Sequence, residues 1–181
     1  DEEIPVVAVD HASGGRMAAE ELLRCSCRNI LHFCGSTAVE SPYHQRHQEF
    51  EKCMARRHCR TTMYELEWNR LDSQYYQEVV EAVFFQPFDY DGVFAVDWLA
   101  IECMNEALRR GYKVPRDICF VSYDGTFLTN VVEPRMTTIV QPIAGLAKEA
   151  VRLLTDQIQG RKPQNKSVVL GVTLRKGHTT R

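Results

Sequence analysis

The sequence predicts an α/β fold in which a mostly parallel sheet is covered by helices on both faces. As far as residue 123, short apolar runs of the kind that form buried strands alternate with amphipathic segments of helical periodicity. Residues 93–96 and 118–121 are apolar throughout, which is typical of strands that are buried on both sides. This alternating order implies right-handed crossovers between parallel strands.

Each predicted element rests on a local pattern. Residues 4–9 form an apolar strand that ends at Asp10, and a helix opens at Ser13 and Gly15 with small and apolar residues on one face. Further strands are predicted at residues 29–34, 61–66, 92–96, 118–122, 137–140 and 168–174. Further helices are predicted at residues 43–57, from Asp72 or Ser73 to Phe84, from Asp97 to Leu108, and at residues 143–159. Gly111 and Gly160 follow the last two predicted helices, at the position where glycine commonly ends a helix.

The composition is that of an ordinary globular protein. Apolar residues make up 44% and charged residues 25% of the 181 residues, enough for one or two compact lobes with a buried core. The formal net charge of −2 argues against nucleic-acid binding through a broad basic face. No apolar run approaches the roughly 20 residues that span a bilayer, and no signal peptide is visible.

Cysteine usage favours a reduced, cytoplasmic protein. The chain has seven cysteines, an odd and scattered set in which several lie inside apolar patterns. The nearest approach to a metal-binding pattern consists of His44, His47, Cys53, His58 and Cys59. Their spacing matches no zinc pattern, so neither a metal nor another cofactor is predicted.

Carboxylates follow several of the predicted strands. Asp10, Asp97 and Asp124 each come directly after an apolar run. Because ligands collect at the carboxyl ends of parallel strands, these three side chains are expected along one edge of the sheet. The alternative is that each caps the following helix. This alternative is weaker for Asp124, which precedes Gly125 and a loop.

Longer stretches resemble one family. The segment "DGVFAVDWLAIECMNEALRRGYKVPRDICFVSYDG" resembles the strand–helix–strand signature of the LacI/GalR family of bacterial transcription regulators. "MTTIVQPIAGLAKEAVRLLTDQIQG" resembles its following crossover and helix, "VDHASGGRMAAEELL" an earlier strand and helix, and "RHQEF" the start of a later helix. The resemblance covers almost the whole chain in order.

The resemblance implies a domain organisation. The family fold is a two-lobed periplasmic-binding-protein type I module that follows a DNA-binding helix-turn-helix. By this analogy the chain holds one complete lobe and part of the second, and lacks the helix-turn-helix. Residues 10–135 and 168–176 would belong to the C-terminal lobe, and residues 142–160 would be a helix of the N-terminal lobe. The apolar stripe of that helix would need another chain or a domain swap to stay dry.

The resemblance also implies an effector site between the lobes. Arg46 matches the pocket arginine of the R-x-x-x-F pattern, and Asp124 the pocket aspartate of the V-x-Y-D pattern. Gln141 falls in the crossover near the hinge, where direct contact with a ligand and a purely structural role remain equally open. For Arg46 the alternative is a surface position on its helix. Guanidinium and carboxylate groups suit the paired hydroxyls of a sugar.

Two tryptophans and a third carboxylate complete the predicted ligand-binding set. Trp68 follows the third strand, near the place where the family often puts an aromatic ring over its ligand, and Trp98 lies beside Asp97. A core position is the alternative for both rings. Val96 replaces the asparagine that many members carry, so Asp97 or Trp98 is expected to take over selectivity.

The expected function is effector sensing by a dimeric cytoplasmic regulator that binds operator DNA through a region outside this chain. A sugar-binding protein of an ABC transporter shares the fold and is the alternative. No enzyme is predicted, because neither a phosphate-binding glycine loop nor a nucleophile motif appears. Binding by the chain alone is expected to be weak or absent.

Overall fold

Strands and helices alternate along the chain in the computed structural model, which describes residues 4–35, 42–67, 70, 72–85, 87–161 and 167–181. The strands are β1 (Val6–Val9), β2 (Asn29–Gly35), β3 (Arg60–Leu66), β4 (Gly92–Val96), β5 (Cys119–Asp124), β6 (Thr137–Val140), β7 (Ser167–Leu170) and β8 (Thr173–Arg175). The helices are α1 (His11–Arg24), α2 (Pro42–Ala55), α3 (Ser73–Phe84), α4 (Asp97–Arg109), α5 (Leu128–Val131) and α6 (Ile143–Ile158). Among the described residues no helix is both long and apolar enough to cross a membrane.

The described strands form two sheets. The larger sheet has the order β3-β2-β4-β5-β6-β8, in which only the β6–β8 pair is antiparallel. The smaller sheet is the parallel pair β1-β7. The predicted mostly parallel α/β architecture is therefore confirmed.

Two sequence-based expectations about these sheets are wrong. The single strand predicted at residues 168–174 is two strands, of which β7 pairs with β1 and only β8 joins the larger sheet. Asp10 follows β1 and so does not extend the edge of the larger sheet. Its carboxylate instead accepts a hydrogen bond from the backbone N–H of Ser13 at 2.8 Å, which is the capping alternative. Asp72 caps α3 in the same way.

Helices cover both faces of the larger sheet, as its strand alternation requires. In β5, Phe120 packs into the core beneath α3 and α4, whereas Val121 and Tyr123 pack into the core beneath α1 and α2. Consecutive side chains of a strand point to opposite faces, so an unbroken apolar strand supplies both cores. Tyr123 is fully buried.

Helix α6 packs against the smaller sheet but leaves much of its apolar stripe uncovered. It contacts β1 and β7. The exposed apolar side chains of α6 are Ile143, Val151, Leu154 and Ile158, with 58% to 77% of each accessible to solvent. An apolar surface of this kind is unusual on a complete monomer and indicates an interface.

Helices α1 and α2 meet so closely that a glycine is required between them. A β-carbon at Gly15 would lie 1.9 Å from the backbone carbonyl oxygen of Arg46. The contact therefore fixes the height of α2 above the sheet at the turn that carries the Arg46 side chain.

Substitution of Gly15 by alanine should therefore destabilise the fold. We expect the free energy of unfolding to fall by about 2 kcal/mol, because the added methyl group forces the two helices apart. Urea denaturation measures the loss. Gly171→Ala is the matched control, since no heavy atom lies within 4 Å of a β-carbon built at Gly171. Equal stability of the two variants would contradict the close approach.

Candidate ligand-binding site

The site lies at the edge where the parallel strands β4, β5 and β6 end. Asp124 is the last residue of β5 and pairs in register with Val140, the last residue of β6. Gln141 therefore follows on the neighbouring strand, beside Asp124. Its side-chain amide donates a hydrogen bond to Asp124 Oδ1 at 2.6 Å.

The backbone at Asp124 adopts a strained conformation. Its φ of 120° lies in a region that residues other than glycine rarely adopt. Gly125 follows with φ 73°, and a β-carbon there would lie 2.7 Å from Cα of Val140. Strain of this kind is frequent at ligand-binding positions, where the surrounding structure maintains it.

Arg46 is brought to the same place from α2. Its side chain is only 3% exposed, and its Cζ lies 3.4 Å from the centroid of the Tyr123 ring, a close cation–π contact. Tyr123 directly precedes Asp124, and the positive charge of Arg46 lowers the pKa of the Asp124 carboxyl. Two residues that are 78 positions apart in the sequence therefore share one small region.

The Asp124 carboxyl is nevertheless hard to ionise. Burial raises its pKa above the ordinary value, and this effect outweighs the opposing effects of Arg46 and the Gln141 amide. The neighbouring charge of Asp97 adds to the increase. A ligand whose hydroxyl groups donate hydrogen bonds would therefore stabilise the ionised form of Asp124.

A cavity of about 530 Å³ opens beside this carboxylate. Its walls come from the β5–α5 loop, the β6–α6 crossover and the first turn of α6: Asp124, Gly125, Thr126, Gln141, Pro142, Ile143, Ala144 and Gly145. The cavity thus lies between the larger sheet and the unit formed by α6 and the smaller sheet. Its size is in the range of small-molecule sites.

Asp97 lies at the same edge but faces inwards. It is 2% exposed, and its Oδ1 accepts hydrogen bonds from the hydroxyls of Ser122 at 2.6 Å and Thr138 at 2.9 Å. Its Oδ2 accepts a hydrogen bond from the backbone N–H of Thr126 at 2.6 Å. The side chain makes no capping hydrogen bond to its own helix, so the capping interpretation is wrong. Asp97 joins β4, β5 and β6 beneath the site.

Of the two predicted tryptophans, the structure describes Trp98. Trp98 is 42% exposed and meets the edge of the Tyr76 ring, with the ring centroids 6.0 Å apart. It lies in the first turn of α4, at the carboxyl edge of the sheet, so its exposed part is available for stacking. Trp68 lies outside the described residues, and its contact with a ligand stays a prediction.

Several residues of the site were not singled out from the sequence. Tyr123 holds Arg46, and His11 both stacks on Tyr123 and has Nδ1 3.1 Å from the tyrosine hydroxyl. The regular alternation of β5 signals which face Tyr123 occupies, but nothing local signals its contact with a helix from elsewhere in the chain. His47 is buried against His32 and Phe94.

With this geometry described, comparison with known proteins decides the family. Residues 7–180 match the periplasmic binding protein-like domain family. The chain belongs to this family. The ribose operon repressor of Halalkalibacterium halodurans is 32% identical over 90% of the chain, and the sucrose operon repressor of Streptococcus mutans is 30% identical over 97%. The resemblance of this periplasmic binding protein-like domain to LacI/GalR regulators is thereby confirmed.

A solved structure agrees with this assignment. The periplasmic binding protein/LacI transcriptional regulator of Alkaliphilus metalliredigens, complexed with D-xylulofuranose, superposes with a TM-score of 0.81 at 26% identity. The match covers 99% of this chain and 66% of that protein. The chain spans 48% and 53% of the lengths of the ribose and sucrose operon repressors, respectively.

The raised pKa of Asp124 predicts a gain in stability when its charge is removed. Since the folded-state pKa exceeds the unfolded one, the folded form is most favoured at low pH and loses stability as pH rises through the raised value. Asp124→Asn should therefore raise Tm by about 2 °C at pH 7, and the gain should vanish near pH 4. Thermal unfolding at both pH values measures this.

Asp117→Asn is the control for that measurement. The Arg116 guanidinium and a backbone N–H hold the pKa of the Asp117 carboxyl below its usual value, so its replacement should not stabilise the protein. A lower Tm for Asp124→Asn at neutral pH would mean that attraction to Arg46 outweighs burial.

The burial of His47 leads us to expect that the folded protein loses stability in acid. Burial, reinforced by the charges of Arg46 and His32, lowers the pKa of His47 to about 3, so the ring stays neutral in the folded protein. The unfolded chain takes up a proton there below pH 6.5, and stability is therefore lost as pH falls from 6.5 towards 3. His47→Gln should flatten this part of the stability profile, measured by urea denaturation.

The unaltered chain, measured over the same pH range, provides the comparison. Part of the slope should persist in His47→Gln, since burial also lowers the pKa of His11, to about 4. An unaltered slope in the His47 variant would contradict its burial as a neutral ring.

Proposed function

We propose that this chain is the effector-sensing and dimerisation region of a LacI/GalR-type transcriptional regulator. In this proposal a sugar or similar small polar metabolite binds between the lobes and controls binding to operator DNA by a region outside this chain. The observation that carries the proposal is the 530 Å³ cavity lined by Asp124, with Arg46 near enough for its charge to lower the pKa of the Asp124 carboxyl.

The chemistry of the site supports a sugar. The Asp124 carboxylate accepts hydrogen bonds from hydroxyl groups, and the Arg46 guanidinium donates in a fixed planar arrangement. Gln141 presents an amide to the same cavity, and the partly exposed Trp98 offers a flat face for sugar C–H groups. Asp97 contributes by holding the strands that carry these residues, and Trp68 remains a proposed stacking partner.

The relatives favour a regulator over its alternatives. The matching proteins named above are operon repressors, whereas the transporter alternative would call for sugar-binding proteins of a transport system. Because these relatives are regulators, we also propose that the bound molecule is released without chemical change. A homodimer in the cytoplasm follows by the same analogy.

The two sheets support a division into lobes. In this proposal the larger sheet, with helices α1 to α5, is the C-terminal lobe, and α6 with β1 and β7 belongs to the other lobe. The exposed stripe of α6 would then face the remainder of that second lobe. An effector between the lobes acts only through its different affinities for their two arrangements.

A direct binding measurement tests the proposal. D-ribose, sucrose and D-xylulose are titrated separately into the chain and followed by saturation-transfer NMR, which detects weak binding. At least one should bind, with Kd above about 1 μM, because the described residues line only part of an interlobe site. Arg46→Lys and Asp124→Asn should each weaken this binding by about tenfold or more, through the loss of a charge-assisted hydrogen bond.

The controls keep the same chemistry at distant positions. Arg56→Lys lies in the exposed segment after α2, and Asp117→Asn lies at the opposite edge of the sheet. Both should bind as the unaltered chain does. Equal weakening by the controls, unchanged binding by the Arg46 and Asp124 variants, or a submicromolar Kd for the chain alone would count against the proposal.

A further inference from the structure

Three buried cysteines gather at the amino edge of the larger sheet, opposite the ligand-binding site. Cys25 and Cys27 lie in the turn after α1, and Cys119 is the first residue of β5. None of the three is more than 2% exposed. Cys119 and Asp124 are the two ends of one strand, so about 17 Å separates the cluster from the site.

The sheet places the side chains of Cys27 and Cys119 next to each other. Cys119 pairs in register with Gly92 on β4, and residues paired in this way point their side chains to the same face. Gly92 has no side chain, and a β-carbon there would lie 3.3 Å from Cβ of Cys27. Cys27 therefore fills the space beside the Cys119 side chain.

Hydrogen bonds to one carbonyl oxygen fix the same arrangement. Cys27 Sγ lies 3.2 Å from the backbone oxygen of Asp91, and the backbone N–H of Cys119 donates to that oxygen at 3.0 Å. The other nearby thiols also have partners elsewhere. Cys25 Sγ accepts a hydrogen bond from the backbone N–H of Arg181 at 3.3 Å, and Cys59 Sγ faces the backbone oxygen of Cys27 at 3.7 Å.

The electrostatics divide the roles within the pair. Interaction with the Cys27 side chain, the nearby charge of Arg181 and interaction with Cys25 lower the pKa of the Cys119 thiol in spite of its burial. Interaction with Cys119 and burial raise the pKa of Cys27. Cys119 is therefore the better nucleophile of the pair.

We propose that Cys27 and Cys119 form a reversible oxidation site, in which hydrogen peroxide converts the two thiols into an intrachain disulfide. The Cys119 thiolate attacks one peroxide oxygen, the O–O bond breaks, and the departing hydroxide takes up a proton to become water. The sulfur of Cys27 then attacks the sulfur of the resulting sulfenic acid. The S–O bond breaks, and the second water leaves with the Cys27 proton.

Peptide mapping of the oxidised chain tests the pairing. The folded 181-residue chain is treated with hydrogen peroxide, its remaining thiols are alkylated, and it is digested without reduction for mass spectrometry. We expect a peptide that joins Cys27 to Cys119, a loss of two hydrogens from the intact mass, and reversal by dithiothreitol. Oxidation only at other cysteines, or a bridge from Cys119 to Cys25 or from Cys27 to Cys59, would overturn the proposal.

Matched variants separate the pair from general thiol chemistry. Cys27→Ser and Cys119→Ser should each abolish the loss of two hydrogens, whereas Cys103→Ser, which removes an equally buried thiol, should leave it unchanged. Circular dichroism verifies that each variant is folded. Should a variant fail to fold, mapping of the unaltered chain still decides. A bridge that persists in Cys27→Ser would assign the partner of Cys119 elsewhere and contradict the pair.

Discussion

The buried cation of Arg46 is the constraint on which the arrangement of the ligand-binding edge depends. Removal of a guanidinium from water is unfavourable by several kcal/mol unless other groups replace its hydration. Here the centroid of the Tyr123 ring lies 3.4 Å from the guanidinium carbon, and the Asp124 carboxyl is near enough to interact electrostatically with the cation. Because Gly15 lets α1 rest on the Arg46 carbonyl oxygen, the backbone of the arginine is held as firmly as its side chain. The cation is therefore held beside Tyr123, next to the strand end that carries Asp124.

The same sequence signal, an aspartate directly after an apolar strand, has three different outcomes. Asp10 caps α1, Asp97 joins three strands from within, and Asp124 borders the cavity. The difference lies in the donors that the rest of the chain brings to each carboxylate. Asp97 is buried and receives three hydrogen bonds, whereas Asp124 is only partly buried and accepts one from the Gln141 amide. Local sequence cannot distinguish these outcomes, because the donors come from strands and loops up to 41 residues away.

Those features of the fold that depend on local periodicity were predictable, and those that depend on pairing were not. The apolar runs and helical stripes gave nearly every element of the larger sheet. The pairing of β1 with β7 joins residues about 160 positions apart, and no pattern within either strand reveals it. At the candidate site, Arg46 and Asp124 are predictions from resemblance to a family, whereas the stacking of Arg46 on Tyr123 and the contact of His11 with that ring require coordinates. The strand break at Gly171 was not predicted because mostly apolar residues lie on both sides of it, at 168–170 and 172–174.

Strand β5 connects the two chemically distinct ends of the protein. On its face towards α1 and α2 it carries Cys119, Val121 and Tyr123 in alternate positions, all fully buried. Cys119 belongs to the thiol cluster and Tyr123 to the arginine stack, about 13 Å apart along one strand. Close-packed interiors transmit displacement because they contain little free volume. A change in the position of β5 at the amino edge would therefore reach the ring that holds Arg46 only by shifting Val121 and its neighbours. The register that β5 shares with β4 and β6 opposes such a shift. Oxidation of the proposed cysteine pair is therefore expected to leave the candidate ligand-binding site undisturbed.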